Sequence, residues 1–257
     1  MKKIIHLSDL HVGHEECGAN FRAIIDNITS LKQPAKNYII LITGDIVDNA
    51  NHSEQIDEAV EAIEQLKERG YRVLAIPGNH DYGNGVRGDK KFVTLFKEKY
   101  FKSTEIPYPK LDIIGKTAFI GLDSTAEELH WHDRFFSEGE LGKVQLRRLK
   151  KILKEPEVAS LKKVVYLHHH PFDFKPGMQL KDKKGLKKII ENNIDMLLFG
   201  HYHKNPVSAG KISHGKWGIA RCYNAGSSTH KNGDKGFQRI IDLSKADPGK
   251  DYDGNFI

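Results

Sequence analysis

The sequence predicts an α/β protein with a parallel-containing sheet covered by helices, together with a second sheet. Two observations carry this. Short apolar runs alternate with amphipathic helical patterns over the first hundred residues, the order that forms parallel sheets with helices on their faces. Later runs include a hairpin pattern and closing strands that one such sheet does not absorb.

The elements follow in order. "KIIHL" (3–7) is a strand, and a helix over 19–31 is marked by Phe21, Ile24, Ile25 and Ile28. "YIILIT" (38–43) is a buried strand. A helix over 53–70 has Ser53 as its cap, Ile56, Val60, Ile63 and Leu66 as its stripe and Gly70 as its stop. A strand over 71–79 precedes a helix from Phe92 to Tyr100. The runs 111–114 and 117–123 form a hairpin across Gly115 and Lys116. A helix over 138–154, a strand over 162–170, a helix from 183, a strand from 194 and closing strands "WGIARCY" and "FQRIIDL" complete the pattern. Residues 124–137 read as irregular and 245–257 as a frayed tail. No linker divides the chain, so 1–257 is expected to be one domain.

Composition narrows the class. Hydrophobic residues make up 39% and charged residues 29%, ordinary for a globular chain. The two cysteines, Cys17 and Cys222, lack CxxC spacing, which argues against a zinc-thiolate site and suits a reducing cytoplasm. The opening "MKKII" run is broken by His6 and Asp9, too early for a signal peptide, and no run approaches a membrane span. The net charge is +6, yet residues 143–188 hold 14 Lys/Arg against 4 Asp/Glu. The favoured reading is solvated helix faces; the alternative is a surface for a polyanion.

The polar residues cluster after strands. "SDLH" supplies Asp9 and His11, "GDIVD" supplies Asp45 and Asp48, and "GNHD" supplies Asn79, His80 and Asp81. "HHHP" supplies His168 to His170, and "GHYH" supplies His201 and His203. Ligands bind outside the carboxyl ends of strands in open α/β sheets, so these five blocks should converge. Extended geometry would aim Asp9 with His11, and His201 with His203, at one place. A set of Asp, Asn and His without thiolate suits Mn, Fe, Zn or a similar divalent metal.

The five blocks together resemble the calcineurin-like metallophosphoesterases, and "NAGSS" (224–228) resembles that family's C-terminal region. The resemblance implies a two-sheet β-sandwich flanked by helices on both sides. It implies two divalent metal ions, one held by Asp9, His11, Asp45 and His203 and the other by Asp45, Asn79, His169 and His201. Asp45 would bridge them, and the surplus positive charge of the ions would bind a phosphate and stabilise an attacking hydroxide. His169 is chosen over its neighbours because the family's ligand stands two residues before the proline; His170 would flank the substrate and His168 would be packed or hydrogen-bonded. His80 would face the phosphate and assist the leaving oxygen, with Asp48 holding its ring. Asp81 is either a supporting carboxylate or a turn residue. The loop His130-Trp131-His132 is either packed by its tryptophan or stacks on a base.

The implied function is hydrolysis of a phosphodiester, with bacterial class III cyclic nucleotide phosphodiesterases as the narrower resemblance. The alternatives are a broad-specificity phosphatase or nuclease of the same superfamily, and a non-catalytic binding scaffold. The expected partner is a phosphoester substrate such as a nucleotide; nucleic acid is not favoured and no membrane partner is expected.

Overall fold

The structure is a computed structural model that describes residues 2–129, 138–172, 178–203, 217–229, 236–244 and 252–254. The strands are β1 (Lys3–Leu7), β2 (Tyr38–Thr43), β3 (Arg72–Ile76), β4 (Lys110–Ile114), β5 (Thr117–Gly121), β6 (Lys162–Tyr166), β7 (Met196–Phe199), β8 (Arg221–Asn224), β9 (Gln238–Asp242) and β10 (Tyr252–Gly254). The α-helices are α1 (Cys17–Thr29), α2 (Ser53–Glu68), α3 (Lys91–Phe96), α4 (Gly142–Ile152), α5 (Pro156–Ala159) and α6 (Lys183–Ile190).

Two five-stranded sheets form, in the orders β10-β9-β1-β2-β3 and β4-β5-β6-β7-β8. The β1–β2–β3 run is parallel, and so is β5–β6–β7–β8; β9 joins the first sheet antiparallel and β4 joins the second antiparallel. The expected hairpin across Gly115 and Lys116 is the β4–β5 pair.

Side-chain alternation sorts these strands into layers. Ile4, Ile39, Leu41, Leu74 and Ile76 of the first sheet meet Phe119, Val164, Tyr166, Met196 and Leu198 of the second in one buried cluster. The intervening residues Ile5, Leu7, Ile40 and Ile42 face α1 and α2. Val165, Leu167, Leu197 and Phe199 face α4 and α6. The order is therefore helix, sheet, sheet, helix. Strands buried on both faces read as continuous apolar runs, and β2 is buried at every position.

Three local expectations change. The tail expected to be frayed over 245–257 contributes β10, which pairs antiparallel with β9. Ser53 is the first residue of α2, His52 is the flanking position, and neither supplies a side-chain cap. The helix expected to reach Tyr100 ends at Phe96 and continues as a π-type turn, Lys97–Phe101.

Candidate metal centre

The carboxyl ends of β1, β2 and β3 in one sheet and of β6 and β7 in the other open at the same end of the sandwich. Asp9, His11, Asp45, Asn79 and His80 arrive from the first sheet, and His168, His201 and His203 from the second.

The chain does not reach this end in extended form. Asp9, His11, Asp45 and His201 have φ of 51°, 45°, 51° and 68°. Left-handed backbone is costly for a side-chain-bearing residue and persists only where surroundings enforce it. The enforcement is visible. Asp9 and His11 donate backbone N–H to the carbonyls of Gly44 and Asp45, and Ser227 donates its hydroxyl to the Asp9 carbonyl. Gly44 itself has φ 89°, and a Cβ at Gly78 would overlap Asp45 and the His168 ring. These glycines let the two loops close on one another.

Among the described residues, three groups of ligand-competent atoms result, each within 4.8 Å of one another: Asp9, His11, Asp45 and His203; Asp45, His168 and His201, with Asn79 beside them; and, at the rim, His11, Asp48 and His80. In the first, Nε2 of His203 lies 3.0 Å from Oδ1 of Asp9 and 3.2 Å from Nε2 of His11, and Oδ2 of Asp45 lies 3.9 Å from Nε2 of His11. In the second, Nε2 of His168 lies 3.3 Å from Oδ2 of Asp45, 3.1 Å from Oδ1 of Asn79 and 3.1 Å from Nδ1 of His201. Asp45 belongs to both of these.

Here the geometry departs from the sequence expectation. The proline-spacing rule selects His169, whereas the structure turns His168 toward Asp45. The reason is strand parity. His168 continues the face of Val164 and Tyr166, which looks into the sandwich. His169 continues the face of Val165 and Leu167, which looks toward the helices. Its Nδ1 lies 2.9 Å from the Ser124 hydroxyl, Gly139 packs on its ring, and its Nε2 is buried with no hydrogen-bond partner. His170 does not flank the opening. It is buried among Phe172, Phe199 and Tyr202, with Nδ1 accepting the Phe172 N–H.

His80 is part-exposed at the rim, its ring edge-on to His11 at 4.7 Å between centroids. Its Nδ1 lies 2.5 Å from the backbone carbonyl of Asp48. The Asp48 carboxylate is 3.9 Å from that nitrogen but 3.3 Å from Nδ1 of His11. Asp48 thus orients His80 through its main chain and supports His11 through its side chain. Asp81 resolves as a loop clamp: its buried carboxylate accepts N–H groups of Ile46, Val47 and Gly78. Burial, then the nearby Asp45 charge, raises its pKa to about 7. His6 is a buried core residue in β1 bonded to Thr43. The loop His130-Trp131-His132 lies outside the described residues.

The electrostatics suit a cation. Burial opposes the ionised Asp45, but His168 and His80 outweigh it and hold its pKa well below the usual range. Asp9 falls to about 2, burial again being overcome, by His203. Burial and then His168 lower His201 to about 3, leaving a neutral ring whose Nε2 is buried without a hydrogen-bond partner. Burial alone would discharge His168, yet Asp45 and then Asp9 raise it to about 9. Its Nδ1 meets the Thr43 carbonyl at 2.7 Å, which commits one proton to that nitrogen; the raised pKa keeps a second proton on Nε2 beside Asp45, and a cation bound there would take that proton's place. Crowded lone pairs, two ionised carboxylates and an all-oxygen-and-nitrogen donor set fit divalent metal.

A helix-flanked double sheet with two His/Asp clusters sharing a carboxylate at its strand ends is the arrangement that the resemblance to calcineurin-like metallophosphoesterases implied. The sequence model of that class, described as calcineurin-like phosphoesterase, matches residues 2–205, and the chain belongs to this family. A curated relative, a "probable cyclic nucleotide phosphodiesterase" of Coxiella burnetii, is 25% identical over 213 residues, covering 79% of this chain and 76% of the relative. The DNA double-strand break repair protein Mre11 of Sulfurisphaera tokodaii is 24% identical over 80% of this chain, which spans 50% of that protein. The solved structure of TT1561 from Thermus thermophilus shares the fold at a TM-score of 0.58 with 12% identity, over 100% of this chain and 99% of that one.

Proposed function

We propose that the chain is a two-metal phosphodiesterase, with a cyclic nucleotide or another nucleotide diester as its substrate. The observation that carries this reading is Asp45, whose carboxylate is common to both clusters. A shared carboxylate is what a pair of ions a few ångströms apart requires. We assign Asp9, His11, Asp45 and His203 to one ion and Asp45, Asn79, His168 and His201 to the other, with manganese, iron or zinc as the suited metals. Bound ions would polarise a phosphoryl oxygen and lower the pKa of water toward about 7.

The protein's own groups supply the rest. His80 stands beside His11 at the open rim, where it can contact a phosphate and hold a proton for the leaving oxygen at Nε2. Its Nδ1 is committed to the Asp48 carbonyl, which fixes the ring. A diester carries one negative charge and a monoester nearly two; no arginine belongs to the five site blocks to clamp the second charge. This favours a diester. No helix among the described residues is long and apolar enough to cross a membrane, and with its two cysteines as thiols the chain suits the cytoplasm.

The test is kcat/KM for bis-nitrophenyl phosphate, nitrophenyl phosphate and cyclic AMP with added Mn²⁺, alongside metal analysis. The expected result is a diester preference, lost together with bound metal in Asp45→Asn. A monoester preference would leave a phosphatase on the same fold. A metal-free protein without activity would leave a scaffold.

A further inference from the structure

The basic region has a geometry that a solvated helix face does not require. In α4 and the turn that follows it, Lys143, Arg147, Lys150 and Lys154 stand at i, i+4, i+7 and i+11. That spacing places them on one side of the helix. All four are exposed, and none is in an ion pair among the described residues. Helix α6 packs beside α4, with Gly185 against Leu146, and adds exposed Lys184 and Lys188. Neither helix contains an acidic residue. The acidic groups nearby are at the ends: Asp182 accepts the N–H groups of Leu141 and Gly142, Glu127 abuts Gly142, and Glu155 and Glu157 follow α4.

The row has a direction. α4 connects β5 to the parallel β6, so it runs back from the strand ends that carry the metal centre. Its first turn is tied to that end: Gln145 exchanges hydrogen bonds with the main chain of Asp123, and the adjacent Ser124 bonds His169. Lys143 therefore stands at the site end and Lys154 at the far end, about 16 Å away at 1.5 Å per residue.

We infer that this row is a docking track for the phosphate backbone of double-stranded nucleic acid. A duplex strand carries one phosphate per 3.4 Å of axis, so about 16 Å spans about five phosphates facing four to six cations. Among the described residues the row has no aromatic neighbour on which an unpaired base could stack, which favours a duplex over a single strand. An anionic membrane is the weaker fit. A membrane-surface helix buries an apolar face in lipid, whereas Leu141, Leu149 and Leu153 in and beside α4 are already buried in the core. The inference stands on α4 and α6 and does not depend on the hydrolytic reading.

The test is fluorescence anisotropy of a labelled random-sequence 20-base-pair DNA against the full chain, with chelator present so that no hydrolysis intervenes, across a salt series. The wild type should bind with a steep salt dependence. The triple variant Lys143→Gln, Arg147→Gln, Lys150→Gln should bind more weakly and lose about 2.7 from the log–log slope, about 0.9 per phosphate contact. A control triple at the opposite end of the first sheet, Lys32→Gln, Lys36→Gln, Arg72→Gln, has the same net charge and should keep the slope. If circular dichroism shows the first triple unfolded, Arg147→Gln alone should lose about 0.9. Equal loss in both triples would reduce the effect to net charge and overturn the track. So would absence of duplex binding in low salt, with or without capture on phosphatidylserine vesicles.

Discussion

His168 and His169 are adjacent, equally buried and chemically identical, and they point to opposite faces of one strand. His168 meets Asp45, Asn79 and His201; His169 meets Ser124 and Gly139, and its ring lies 4.5 Å from that of His201 while its Nδ1 is turned to Ser124. His168→Ala should therefore lower metal content, with an affinity loss beyond the 10–100-fold typical of a merely supporting group. His169→Ala should retain the metal. Metal analysis after dialysis decides between them, and the reverse pattern would restore His169 as the ligand. The sequence contained the needed clue in strand alternation, but the start of the parity count depends on which face of β6 meets the other sheet. Asp81 was similarly ambiguous in sequence: its role as a clamp on Ile46, Val47 and Gly78 depends on loops 35 residues apart coming together.

Strand β1 carries a buried titratable group whose behaviour sets a pH dependence. His6 lies between the sheets with Nε2 at 3.1 Å from the Thr43 hydroxyl. Burial, then the positive charge of Arg239, lowers its pKa from 6.5 to about 3. The unfolded chain thus binds a proton below about pH 6.5 that the folded chain refuses until near pH 3. Stability contributed by the neutral ring is present above pH 6.5 and falls as pH drops, by up to about 1.4 kcal/mol per unit. His201 and His170, lowered to about 3 and about 4 by burial, add to the same limb, so His6→Gln, which can keep a bond to Thr43, should make it less steep. Denaturant titrations of both proteins between pH 4 and 7 check it; parallel curves would remove His6 from the account. The elements themselves were largely legible, because β2 and β7 are continuous apolar runs, β1 and β6 carry shorter ones, and α1 and α2 carry clear stripes. Their ends were less so: the turn from β1 to Asp9 and His11 is left-handed rather than extended, a strain imposed by hydrogen bonds from distant loops.

At the scale of the whole molecule, the candidate centre lies where the two sheets meet. Asp9, His11, Asp45 and Asn79 belong to one sheet and His168, His201 and His203 to the other, so a cation held among them ties the layers together. Mn²⁺ at about 100 times its Kd should stabilise the fold by about 2.7 kcal/mol per site. At about 2–4 °C per kcal/mol for a chain of this size, the melting temperature should rise clearly, and chelator should reverse the rise. An unchanged transition would mean that the folded chain binds no metal in preference to the unfolded one. The α/β class, the strand-end blocks and the Asp, Asn and His donor types were readable along the chain, since apolar periodicity and residue chemistry are local properties. Which histidine of three turns to Asp45, which Asp48 atom holds His80 and where the α4 lysines stand relative to the centre were not. Each depends on how two sheets face one another, a relation set by burying both inner faces at once rather than by any one segment's pattern.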